Sequence, residues 1–223
     1  MVDVIPAIIP SDYAHLAASV ARVRGVVGRV QIDIIDGKYA PQPSWPFNGK
    51  DADAYARIVN QEEGLPGWQD FDFEIDLMVQ HPEAVVEEWI AAGADTLIVH
   101  IESAQDIEPI YEQTVQTGTH LALALKPNTP IEVIEPWADR IQFVQCMGND
   151  RIGYHGVALD PLVVTKIAGI RSQFPELGIG VDIGVTFETA HQLVAAGATR
   201  LASGSTIFNA VDIAEAVARL RAA

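Results

Sequence analysis

The sequence predicts one fold class above others: a single TIM barrel, (β/α)8, spanning residues 1–223. Two observations predict it. Short apolar runs alternate with amphipathic segments in eight β-then-α units, and aspartates recur at the ends of three of those runs. A chain of 223 residues, 49% hydrophobic, is long enough for one large core, and no linker or composition break marks a second domain. A doubly wound open sheet is the structural alternative; eight similar units favour closure.

The strands are expected, in order, at residues 4–9 (VIPAII), 29–34 (RVQIDI), 72–78 (DFEIDLM), 95–100 (DTLIVH), 119–125 (THLALAL), 140–146 (RIQFVQC), 177–182 (LGIGVD) and 199–203 (TRLAS). The stretches between them read as helices. "SDYAHLAASVARV" opens with Ser11 or Asp12 as N-cap. "PEAVVEEWIAAG" puts Pro82 in a first turn and Gly93 at a C-cap, and "FETAHQLVAAG" ends the same way at Gly197. "DIAEAVARLRAA" closes the sequence. The longest stretch without an element is 36–50, "DGKYAPQPSWPFNGK", with three prolines and with Trp45 and Phe47. A loop of this length in a compact domain is expected to be functional or disordered.

The balance of 14 Lys+Arg against 30 Asp+Glu gives a net charge of −16, which argues against a nucleic acid or an anionic membrane as partner. A small anion is not excluded, because backbone N–H groups can hold a phosphate. The one cysteine, Cys146, rules out an intramolecular disulfide, and a cytoplasmic setting is expected. The N-terminal segment reads as no signal peptide, and no run of 18 apolar residues suggests a membrane span.

Barrel active sites lie at the C-terminal ends of the strands. Strand 2 ends in Gln31-x-Asp33, a spacing that puts both side chains on one face. Strand 3 ends in Glu74-x-Asp76, strand 4 in His100 followed by Glu102, and strand 7 in Asp182. Any one aspartate could be a turn former or a cap; three at strand ends of one barrel point to a shared site. Converging carboxylates must share protons or bind a cation, and two of them across a substrate carbon could act as base and acid. His100 reads equally as a hydrogen-bonded rim residue, and His81, His120 and His191 as polar surface. A second constellation consists of Gly153, Tyr154, His155 and Gly156 after strand 6, Ile183 and Gly184 after strand 7, and Gly204 and Ser205 after strand 8. Glycines and helix starts at consecutive loops suit an oxyanion such as a phosphate.

Several segments together resemble the ribulose-phosphate 3-epimerases and related sugar-phosphate 3-epimerases, over nearly the whole length. They are "PAIIPSDYAHL", "VQIDIIDGKYAPQ", "IDLMVQHPE", "LALKPNTPIEVIEPW", "VDIGV" and "GSTIF", in the family's order. The resemblance implies a ribulose-phosphate-binding type of barrel and carbohydrate (pentose phosphate) metabolism. It implies that a proton is taken from the carbon beside a ketone of a phosphorylated ketose and returned on the opposite face. The family's acid/base aspartates, from strands 2 and 7, match Asp33 and Asp182; Asp36, further out, is expected to shape the loop.

The resemblance also implies departures. The family holds a divalent metal with two histidines and those two aspartates. Here the histidine positions are Gln31 and Asp76, so the metal set would be Gln31, Asp33, Asp76 and Asp182. Ala7 replaces a serine, His155 replaces a glycine, and Ile183 stands in a Gly-Gly pair. With M²⁺, this set sums to −1 if all three aspartates ionise, which opposes an oxyanion in the site. Oxygen-only donors favour Mg²⁺ or Mn²⁺ over Zn²⁺ or Fe²⁺; the other expectation is metal-free work. The partner expected is a small phosphorylated sugar, acted on by a homo-oligomer. Two alternatives stay open: a decarboxylase or aldolase of a sugar phosphate, against which strand 3 offers no lysine and Lys126 sits in a turn, and a non-catalytic barrel that binds a phosphorylated ligand or a partner chain.

Overall fold

A computed structural model describes residues 2–223. Eight parallel strands close into a barrel in sequence order, and β1 pairs with both β2 and β8. The strands are β1 (Asp3–Ile8), β2 (Arg29–Ile35), β3 (Asp72–Met78), β4 (Thr96–His100), β5 (His120–Leu125), β6 (Phe143–Met147), β7 (Gly178–Asp182) and β8 (Arg200–Ser203). Their side chains are buried almost throughout on both faces, which is why they read as continuous apolar runs rather than as alternations.

Packing divides the chain into two compact units. The first comprises residues 7–121 and the second the residues before 7 together with 122–223. In the first, β2, β3 and β4 carry α1 (Tyr13–Val23), α2 (Ala52–Val59), α3 (Val86–Ala91) and α4 (Glu108–Thr117). Asp12 caps α1 by accepting the His15 N–H at 2.7 Å, the role the sequence offered to Ser11 or Asp12. In the second, β5 to β8 carry α5 (Pro161–Gln173), α6 (Ala190–Ala196), α7 (Ser205–Phe208) and α8 (Ile213–Arg221). Asp160 and Asp212 cap α5 and α8 in the same way, and α5 starts with Pro161, whose missing N–H costs nothing there. Among the described residues, no helix is long and apolar enough to cross a membrane.

Most strand ends lie within one residue of the sequence reading, and two elements differ by more. Strand β6 starts at Phe143 rather than 140, because residues 137–141 wind into turns in which Trp137 C=O accepts from Arg140 and Ile141. The helix expected over "PEAVVEEWIAAG" is divided: a 3-10 turn spans Pro82–Ala84, and α3 follows only after Val85, whose φ of −128° interrupts the winding.

Candidate active site

Asp33 and Asp76 are direct neighbours in the β2–β3 ladder, and Asp182 is the last residue of β7. All three are buried, and one oxygen from each lies within 4.8 Å of the others, a grouping able to hold a metal ion. Like charges this close cannot all persist without compensation. The surrounding hydrogen bonds supply part of it. Gln31 donates from Nε2 to Asp33 Oδ1 at 2.7 Å, and the Ile183 N–H donates to Asp182 Oδ1 at 2.8 Å.

Asp76 has a histidine beside it. His100 Nε2 lies 3.1 Å from Asp76 Oδ1, and both side chains are fully buried. On the other side of the ring, Nδ1 lies 3.3 Å from the Tyr39 hydroxyl, which donates to Glu102 at 3.1 Å. His100 thus links the Asp76 carboxylate to Tyr39 and Glu102.

Gln31 is fully buried, and its Oε1 has no hydrogen-bond partner. An orphaned buried acceptor costs about 1–3 kcal/mol. Beside three carboxylates, that unmet oxygen is what a cation would satisfy. The three aspartates therefore fit a divalent ion, and the unmet Gln31 Oε1 is one more oxygen of the kind such an ion takes.

The other sequence-predicted residues lie on three successive loops of the second unit. Gly153, Tyr154, His155 and Gly156 follow β6, Ile183 and Gly184 follow β7, and Gly204 and Ser205 open α7 after β8. Gly153 and Gly156 have φ of +80° and +70°. Tyr154 lies under the Arg151 guanidinium, 5.5 Å from its ring centre. Gly184 is constrained by packing: a Cβ there would lie 2.6 Å from Leu159 Cα. The loops after β7 and β8 are tied together, since Ser203 and Thr206 both donate to the Val185 C=O. Asp36 leaves the carboxylate group and shapes its loop, accepting from the Lys38, Tyr39 and Gln80 N–H groups.

Sequence reasoning missed Tyr39 and Ser44. Tyr39 meets His100 across 61 positions, and Ser44 meets the β2 main chain inside a stretch that reads as a loop. No local pattern signals either contact.

The Ribulose-phosphate 3 epimerase family model matches residues 3–208. The chain belongs to the ribulose-phosphate 3-epimerase family. It is 28% identical to the ribulose-phosphate 3-epimerase of Bacillus subtilis, with 99% of each chain covered. It is also 28% identical to that of Eremothecium gossypii, covering 97% of this chain and 90% of the relative. Solved structures share the fold at lower identity. A mutant tryptophan synthase α-subunit from Pyrococcus furiosus superposes with a TM-score of 0.69 at 14% identity, with all of both chains covered. A 3-hexulose-6-phosphate synthase does so at 0.60 and 20%, covering all of this chain and 99% of that one. The family assignment and the closed eight-stranded barrel agree.

Proposed function

We propose that this chain is a sugar-phosphate 3-epimerase in which Asp33 and Asp182 exchange a proton at the carbon beside the ketone of a phosphorylated ketose. The observation that carries the reading is the pair of buried carboxylates from β2 and β7 in one cluster, in a chain whose relatives bear that enzyme's name. One carboxylate takes the proton as general base. The other, as the acid, returns one to the opposite face, and the roles reverse in the reverse reaction. The Gln31 and Ile183 bonds hold one oxygen of each carboxylate and orient the other toward substrate. Glycine-rich loops after β6, β7 and β8, with Gly153, Tyr154, His155, Gly156, Ile183, Gly184, Gly204 and Ser205, are the proposed hold on the phosphate through backbone N–H groups.

A divalent cation held by Gln31, Asp33, Asp76 and Asp182 would supply positive charge against the oxyanion that develops as the proton leaves. Oxygen donors favour Mg²⁺ or Mn²⁺.

Two measurements test this reading. Incubated in D₂O with ribulose 5-phosphate, the protein should place deuterium on the carbon beside the ketone while forming the epimer. Elemental analysis should find no stoichiometric zinc or iron, and Mn²⁺ should bind with an affinity that Gln31→Leu lowers. Absence of exchange with every ketose phosphate tried would reject the epimerase; tightly bound zinc would reject the hard-cation assignment.

A further inference from the structure

Strand β1 stops at Ile8, opposite Ile32, but β2 runs on through Asp33 to Ile35. On this last stretch β3 pairs along one edge, Asp33 with Asp76 and Ile35 with Met78. The remaining main-chain groups are met by a single residue of the 36–50 segment. The Ser44 hydroxyl donates to the Asp33 C=O at 3.0 Å and accepts from the Ile35 N–H at 2.9 Å, and the Ser44 N–H donates to the Ile35 C=O at 3.0 Å. Oγ also lies 3.2 Å from the Trp45 C=O, so its hydrogen is shared. Ser44 thus continues the sheet where β1 has ended, and it is 2% exposed.

The segment is anchored immediately beside this residue. The Trp45 N–H donates to the Pro10 C=O at 2.8 Å, just past β1. The Trp45 indole is fully buried, with ring centres 5.8 Å from Tyr13 on α1, 5.8 Å from Tyr55 on α2 and 6.5 Å from Trp89 on α3. Upstream, Asp36 binds the Gln80 N–H at 2.8 Å, beyond the end of β3. A segment held in this way is a fixed brace, and one of its hydroxyl-to-peptide contacts falls on the residue that carries the reacting carboxylate.

We propose that Ser44 is a positioning residue for Asp33 in proton transfer, with Trp45 as its anchor. The proposal rests on the epimerase reading above. Proton abstraction demands close alignment of carboxylate and C–H, and an error of about 1 Å costs on the order of 100-fold. Ser44 sets the peptide from which the Asp33 side chain projects, so its loss should act on the proton-transfer step and not on substrate capture.

The test compares the full-length protein with Ser44→Ala, Ser44→Thr and Trp45→Phe. It uses ribulose 5-phosphate carrying protium or deuterium at the reacting carbon, together with amide hydrogen exchange. Ser44→Ala should lower kcat by about 10–100-fold with KM nearly unchanged. It should enlarge the deuterium isotope effect and speed exchange of the Ile35 amide relative to amides of β5–β8. Ser44→Thr, which returns the hydroxyl, should recover most of kcat. If Ser44→Ala does not fold, Trp45→Phe should show a smaller loss with the same rise in isotope effect. An active protein in which Ser44→Ala, or in its place Trp45→Phe, leaves kcat and isotope effect unchanged overturns the proposal alone. An unmodified protein that exchanges no substrate proton overturns both this proposal and the epimerase reading.

Discussion

Ile183 holds φ at +76°, a left-handed conformation that a β-branched residue adopts only under constraint. The turn it makes brings its own N–H back onto Asp182 Oδ1, so the strain is coupled to the orientation of a proposed acid/base residue. Ile183→Gly should relieve it and raise stability by about 1 kcal/mol, read as a higher urea midpoint at unchanged slope; a lower midpoint would show that the isoleucine packing outweighs the backbone cost. At this scale much of the site was legible. Aspartate at the end of an apolar run is a readable signal, and Asp33, Asp76 and Asp182 do converge. What surrounds them was not legible. His100 reaches Asp76 across 24 positions and Tyr39 reaches His100 across 61, and such contacts exist only once the barrel has formed. The count of charges over Gln31, Asp33, Asp76 and Asp182 left out the histidine that lies against Asp76.

Among the elements, β6 places Cys146 where water does not reach. Burial pushes its thiol from 9.0 up to about 12, a rise that Lys166 partly offsets. Between those values the unfolded chain loses the thiol proton and the folded chain keeps it. Stability from this group is therefore complete below pH 9 and declines as pH rises through the window, by up to about 1.4 kcal/mol per pH unit. Cys146→Ala should flatten the fall in unfolding free energy between pH 9 and 12, at the cost of a small cavity; an identical slope in both proteins would contradict the assignment. The strands were legible as elements because barrel strands are buried on both faces and so appear as apolar runs. The 36–50 segment was legible only as a loop. Its order comes from Trp45 entering an aromatic cluster built by three helices and from Ser44 extending β2, and neither contact has a local periodicity.

For the whole molecule, closure of eight strands followed from counting β-then-α units, and the family assignment agrees with it. The central claim is that two aspartates brought together by that closure exchange a substrate proton. Asp33→Asn and Asp182→Asn keep shape and hydrogen bonding but remove the base or the acid. The most direct measurement is the rate of deuterium incorporation from D₂O into each epimer of the ketose phosphate, for the unmodified protein and for both variants, with circular dichroism to confirm folding. The account predicts that each substitution slows epimerisation by about 10²–10⁴-fold while the fold is retained. Epimerisation at an undiminished rate in either folded variant would contradict it.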